Sequence, residues 1–505
     1  MSDRIVVWHR DDLRAADNPA LAAAARDGTP CPVFVADPAF YDERGLACDA
    51  RIEFLFECLA DLREQYRDLG SDLAVLHGDS VERLRTLLTP DAAGTARDRP
   101  RLYFNRGVPT AAGVARDETV LGWHGVEAFG ADGIVREGES RDGWSDQCES
   151  YFEADREPTP DAVPENPVAS DCTLDDLRAE YDVDSEKARV PRGGRTPGLR
   201  RLDRFVDTIH EYPSAVSRPA AAEQHCSRLS AYLKFGALSI REVYQRVQSD
   251  AVDGRGREMF TSRLFWNRHY RQKLADWPDA TERSINPVFR SLHRQNHDPD
   301  LVAAWREGRT GFPMVDAAMR ALVETGFINF RMRSLVATFY SYVLREWWKP
   351  GADFLYSHLI DADPGINYEQ WQAQAGLVGV HPIRVYDPAK QAREYDPDGE
   401  FVRRYVPELA PLPDEHLPRP AKTPLAVQQE CGVEIGADYP YPVVDYERRA
   451  SEARDLMARH HERAQEALYA DPELLRRASL SQRRRRETGG ETDRSRSDQT
   501  SLEEF

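Results

Sequence analysis

At 505 residues, with 41% apolar and 10% aromatic side chains, the chain is too long for one ordinary core and apolar enough for two. No apolar run reaches the roughly 18 residues of a membrane-spanning helix, so a membrane partner is not expected. The formal net charge of −19 excludes a chain that is basic throughout and leaves nucleic-acid contact only to a local face.

The first residues, Met1 to Val7, run straight into a strand-like stretch without a signal peptide, so a cytoplasmic location is expected. Ile5–Trp8, Pro32–Val35, Leu73–Leu76 and Arg101–Phe104 read as strands, with helical periodicity at Asn18–Ala25 and Arg51–Leu69 between them. Strand–helix alternation over residues 1–135 predicts an α/β domain with a doubly wound parallel sheet. No G-x-G-x-x-G follows the first strand, so a dinucleotide fingerprint is missing. Residues 136–198, rich in Pro, Asp and Glu from Glu149 onward, predict an interdomain linker draped over the surface.

Residues 199–470 carry helical periodicity and predict a larger all-α domain. Pro313 opens an amphipathic helix through Met314, Val315, Ala318, Met319 and Leu322, and a second helix is expected from Arg331 to Trp347. The charged tail at 471–505, with Arg483 to Arg486 followed by Ser, Thr, Asp and Glu, is expected to be disordered. Cys31, Cys48, Cys58, Cys148, Cys172, Cys226 and Cys431 form no C-x-x-C pair, which argues for reduced thiols and against a metal or iron–sulfur site. The basic residues are nearly all arginine, the lysines being Lys187, Lys234, Lys273, Lys349, Lys390 and Lys422. An acidic, lysine-poor surface suits a high-salt cytoplasm.

Six of the nine tryptophans, Trp266, Trp277, Trp305, Trp347, Trp348 and Trp371, lie between 266 and 371. Alone they read as core fillers. The run Leu359-Ile360-Asp361-Ala362-Asp363-Pro364-Gly365-Ile366-Asn367, followed by Trp371, sets two carboxylates, an amide and an indole downstream of Arg331 and Arg333. Such a group can pair a carboxylate with an arginine and turn the amide toward a ligand edge; an ordinary buried Arg–Asp pair with a capping Asp is the other reading.

Five motifs then occur in one order. Val6-Val7-Trp8-His9-Arg10-Asp11-Asp12-Leu13-Arg14 with Asp17-Asn18-Pro19-Ala20-Leu21 resembles the opening of the DNA photolyase/cryptochrome family, W-F-R-x-D-L-R…D-N-P-A-L. Cys226-Ser227-Arg228-Leu229-Ser230-Ala231-Tyr232-Leu233-Lys234-Phe235-Gly236 resembles its T-S-R-L-S-P-Y-L-x-F-G element. Gly311-Phe312-Pro313-Met314-Val315-Asp316-Ala317-Ala318-Met319-Arg320 is similar to G-Y-P-I-V-D-A-A-M-R, and Leu359 to Asp363 and Gly399 to Arg403 complete the set.

The resemblance implies a U-shaped FAD in the helical domain and an antenna pigment, of folate or deazaflavin type, in the N-terminal domain. It implies Tyr212, Ser227, Leu229 and Ser230 on the FAD phosphates, with Cys226 and Arg228 in the same run, where hydroxyls and helix-start N–H groups suit an anion. Arg333 would pair with Asp361 beside the isoalloxazine, Ala362 and Asp363 would line the same site, and Asn367 would face flavin N5. Trp371 and Trp348 match the first two members of an electron-relay triad whose third place holds Gln295; Trp305 and Trp347 are the alternative ends of that path.

The half of the site that would meet a DNA lesion departs from the family. Arg268 stands where dimer-repairing members carry a glutamate, and Phe330 and Ser334 replace a lesion-facing Asn and Met. Basic residues from Arg255 to Lys273 interleave with Phe260, Phe265, Trp266 and Tyr270, a pattern that suits either a nucleic-acid groove or a solvated helix face with its aromatics turned inward. Arg268 and Arg271, with Arg331 and Gln391, make up the expected DNA-facing set. Light-driven repair of pyrimidine dimers in UV-damaged DNA is the favoured function. A cryptochrome-type photoreceptor signalling to a partner through its C-terminal tail is the second, and a light-independent nucleic-acid-binding flavoprotein the third.

Overall fold

Short runs of Val, Ile and Phe, apolar on both faces, form a buried sheet at the start of the chain. Its strands are β1 (Arg4–His9), β2 (Thr29–Ala36), β3 (Ala74–His77), β4 (Arg101–Asn105) and β5 (Val126–Phe129), all parallel in the order β3-β2-β1-β4-β5. Val6 and Trp8 of β1, Val33 and Val35 of β2 and Leu102 and Phe104 of β4 alternate onto one face and share a core cluster there. The computed structural model describes residues 4–40, 47–89, 100–130, 132–136, 143–380 and 383–478. The chain divides into two compact units: Met1–His210, Ser227–Asp279 and Ser357–Pro364 make one, and Glu211–Cys226, Ala280–Tyr356 and Gly365–Phe505 the other.

In the first unit the opening motif is a buried polar junction. Asn18 caps the helix Pro19–Asp27 by accepting from the Leu21 N–H at 3.1 Å, and Pro19 pre-sets its first turn. Asn105, at the end of β4, donates to the Asp12 carboxylate at 2.6 Å, and His9 bonds the Tyr66 hydroxyl at 2.6 Å. The stretch expected as a plain linker contains two helices, Trp144–Glu153 and Leu174–Glu180. Between them it is tied along β3, the end strand of the sheet: Ser170 Oγ accepts from the Val75 N–H at 3.0 Å, the Asp171 N–H donates to the Val75 carbonyl at 3.2 Å, and the His77 N–H donates to Asp171 at 3.0 Å. All seven cysteines are free thiols, and Cys31, Cys48, Cys58 and Cys148 are buried.

In the second unit, Pro313 opens the helix Pro313–Thr325 as its pattern predicts. The helix expected from Arg331 to Trp347 is broken. An α-helix covers Phe330–Thr338, a π-helical turn follows over Phe339–Leu344, and Arg345, at φ +64°, ends it. The next helix, Trp348–His358, starts at the second of the two adjacent tryptophans, and Pro364–Gln374 follows after a tight turn. The apolar run Phe339 to Leu344 hides this break, because nothing in it is a helix breaker. Near the end of the chain, helices span Tyr446–Ala470 and Pro472–Ala478, the latter inside the stretch expected to be disordered. Arg483 to Arg486 and the rest of that stretch, 479–505, lie outside the described residues.

Candidate functional site

Two helices of the second unit present the same spacing to one cavity. Phe330, Arg333, Ser334 and Ala337 stand at i, i+3, i+4 and i+7 on the Phe330–Thr338 helix, and Asn367, Gln370, Trp371 and Gln374 do so on the Pro364–Gln374 helix. With Leu355 they line a partly open cleft whose empty space, open solvent included, is about 290 Å³. Asn329 fixes the start of the first helix by accepting from the Met332 N–H at 3.1 Å, while its amide donates to the Val216 carbonyl at 3.0 Å. Arg333 donates through Nε to the Ile328 carbonyl at 3.1 Å. The Asn367 amide donates to the Ala352 carbonyl at 3.0 Å, leaving its side-chain oxygen as the atom available to the cavity.

Aromatic rings gather behind this wall. Trp371 meets Trp305 edge-on at 6.3 Å and Tyr340 at 5.9 Å, and Trp305 and Tyr340 lie 4.7 Å apart. Trp305 is fully enclosed and Trp348 is buried against Tyr368, whose ring is 6.3 Å away. Trp347 is half-buried beneath the Arg294 guanidinium at 4.9 Å, and Gln295 is exposed. Of the two alternative relay ends, Trp305 is the one in contact with Trp371.

The other residues singled out in the sequence fall in both units. In the first, Arg228 takes the left-handed conformation at φ +51°, just before the short helix Ser230–Lys234. Leu229 donates its N–H to Ser227 Oγ at 3.4 Å, and the Ser227 carbonyl accepts from Arg201 at 2.7 Å. Asp361, Ala362 and Asp363 lie in the turn before Pro364, where Asp363 is 3.7 Å from Arg271 Nε. Arg271 also reaches Asp11 at 3.3 Å. Burial opposes its charge, but Asp363 and Asp11 outweigh that and raise its pKa. In the second unit, Tyr212 is buried at the head of its own short helix and Cys226 is partly exposed.

The four side chains expected to face DNA are all buried and have internal partners. Arg268 is 4% exposed, donates to the Asp132 carbonyl at 2.9 Å and grips Asn267. Burial, and then the neighbouring Arg271, lower its pKa to about 10. Arg331 sits 4.0 Å over the Tyr395 ring and contacts Gln391, itself buried, at 3.5 Å. The Arg255–Asp276 helix therefore buries much of its basic–aromatic pattern. Sequence reasoning missed Gln370 and Gln374, although their i, i+4 spacing around Trp371 was a readable signal. Asp11 was missed as well, since nothing in its motif points to a partner at Arg271.

Residues 5–120 match the family model described as DNA photolyase, and residues 260–459 match the FAD binding domain of DNA photolyase. The chain is 32% identical over 489 residues to a deoxyribodipyrimidine photo-lyase of Halobacterium salinarum, covering 90% of this chain and 98% of that protein. It is 30% identical to cryptochrome-2 of Arabidopsis thaliana, covering 92% of this chain and 80% of that one. A bacterial class III photolyase from Agrobacterium tumefaciens superposes with a TM-score of 0.76 at 25% identity, over 92% of this chain and 98% of the other.

Proposed function

The chain belongs to the DNA photolyase/cryptochrome family, with residues 260–459 as its FAD-binding domain, and from that premise we propose that it repairs UV-induced pyrimidine dimers in blue light. The observation that carries this reading is the cavity in which Arg333, Asn367 and Trp371 meet Ser334, Gln370 and Gln374. Its residues fit a flavin ring: Phe330 and Trp371 offer aromatic walls, Arg333 and Asn367 offer polar groups for the ring edge, and the Trp371 indole N–H is buried without a protein acceptor among the described residues.

When bound, reduced and excited by light, FAD would supply the electron that opens the cyclobutane ring of a dimer. The chain's own residues position and shield that chemistry. Asn367 is aimed by Ala352, and Arg333 brings a positive charge. Gln370 and Gln374 offer amide groups, and Ser334, whose hydroxyl donates to the Phe330 carbonyl at 3.1 Å, still offers an acceptor oxygen, to the hydrogen-bonding edge of an extruded pyrimidine. Arg268, Arg271, Arg331 and Gln391 would each have to leave an internal partner to touch DNA, so this reading puts base recognition in the polar cavity lining. Trp371 and Trp348 are proposed to carry electrons to oxidised FAD, with Tyr212, Cys226, Ser227, Arg228, Leu229, Ser230, Asp361, Ala362 and Asp363 proposed as its further binding residues.

The test is repair of a thymine-dimer oligonucleotide by the FAD-loaded chain, pre-reduced, in blue light and in darkness. Restoration of the thymines in light alone is the expected result. No repair by protein whose flavin is bound and photoreducible overturns it in favour of the photoreceptor reading, which the similarity to cryptochrome-2 supports.

A further inference from the structure

We propose that Tyr368, with Asp353 as its proton acceptor, is the terminal electron donor of the tryptophan relay in this chain; the proposal rests on the relay reading of Trp371 and Trp348 above. The third relay position holds Gln295, an exposed amide that cannot be oxidised in this role. At Trp348 stands Tyr368 instead, its ring 6.3 Å away and nearly perpendicular at 81°. Tyr368 is 4% exposed, and its hydroxyl donates to Asp353 Oδ1 at 2.7 Å. On its other side Tyr356 stacks at 5.6 Å and 21°, and that ring is partly exposed. The Trp371 ring packs against Gly351, one turn along the helix from Trp348, so both indoles lie on the same face of that helix.

The surroundings of Tyr368 suit oxidation coupled to proton loss. Burial, and then the Asp353 carboxylate, raise its pKa far above the ordinary phenol range, so in the resting chain it is neutral. Lys349 lies 5.2 Å from the ring centroid and bonds Asp353 at 2.7 Å and 2.8 Å, with Glu282 3.7 Å from its ammonium. That ammonium opposes a positive charge remaining on the ring. An oxidised phenol is a strong acid, so even a lysine-paired carboxylate accepts its proton. Trp348 has passed one electron by way of Trp371 to the photo-excited flavin; Tyr368 gives one electron to the Trp348 indole, its O–H bond breaks, and the proton moves to Asp353 Oδ1. Trp348 is restored and a neutral tyrosyl radical remains. A thiolate in solution returns the electron and Asp353 returns the proton.

The other rings at Trp371 lack this chemistry. Trp305 is fully enclosed and its indole N–H has no acceptor among the described residues, so a hole there would stay cationic in a low-dielectric core. Tyr340, buried at 1% exposure, has no hydrogen bond from its hydroxyl to a carboxylate among the described residues, unlike Tyr368.

The experiment is laser-flash absorption and electron paramagnetic resonance on the full FAD-loaded chain, starting from oxidised flavin, in H2O and D2O. In the unaltered protein a tryptophanyl signal should give way to a neutral tyrosyl radical, more slowly in D2O. Tyr368→Phe should leave only the tryptophanyl radical, recombining about tenfold faster or more, and Asp353→Asn should slow tyrosyl formation about tenfold. A tyrosyl signal unchanged in Tyr368→Phe, or only a tryptophanyl radical in the unaltered protein, overturns the proposal. If no tryptophanyl radical forms at all, the relay reading itself falls, and this one with it.

Discussion

At Asp17 a single side chain shows what the opening motif does. It is a non-glycine residue at φ +49°, 3% exposed, a conformation that needs support from its surroundings. Ser239 donates to its carboxylate at 2.5 Å, the Glu157 N–H donates at 2.9 Å, and the buried Arg241 forms an ion pair with it. Burial alone would raise its pKa, but the Arg241 and Ser239 hydrogen bonds pull it below the usual carboxylate value. This contribution to stability is therefore complete above the unfolded value of about 3.9 and is lost as pH falls through the lower folded one. Arg241→Met strands the carboxylate and should cost about 3–5 kcal/mol, read by thermal or denaturant unfolding at neutral pH. A change within 1 kcal/mol, on the order of a surface ion pair, would refute the buried-pair account. None of this was legible in the sequence. Asp17 and Arg241 are far apart in the chain; the opening motif contains Asp17, but Arg241 lies outside all five motifs.

Among the elements, legibility followed burial. Strands β1 to β4 stood out as apolar runs because both faces of a parallel sheet are covered. Strand β5, Val-Glu-Ala-Phe at the sheet's end and only half-buried, carried no such signal. The basic–aromatic helix Arg255–Asp276 could be read as a groove or as a solvated face, since spacing alone does not say whether an arginine meets solvent or a buried carbonyl. Of the two cavity-facing helices, the first was readable in outline within the helix expected from Arg331 to Trp347, but the break at Arg345 was not, and the Pro364–Gln374 helix was not singled out. In the helix Trp348–His358, Gly351 is closely packed: an added Cβ would sit 2.7 Å from Trp371 and 2.8 Å from Tyr340. Gly351→Ala should thus destabilise the chain by about 1–3 kcal/mol through overpacking. It should also shift the Trp371 indole, seen as altered photoreduction kinetics. Unchanged stability and kinetics together would mean that this contact is slack.

For the whole molecule, the balance of 86 acidic against 67 basic residues sets the behaviour in salt. Self-repulsion of a net charge of −19 opposes folding, and the screening length falls from about 10 Å at 0.1 M salt to about 3 Å at 1 M. The unfolding temperature should therefore rise by several degrees across that range of KCl. A flat or falling curve would show that individual ion pairs, weakened by the same salt, matter more than the overall charge. No helix among the described residues is long and apolar enough to cross a membrane. The segment around Ser170 and Asp171, bonded along β3, has a consequence for dissecting this protein. It stands in for a missing neighbour strand, so a fragment cut at the end of the sheet would expose a row of bare amides and carbonyls. Copies of that fragment would be templates for one another, and the apparently self-sufficient α/β half would tend to polymerise rather than stay in solution.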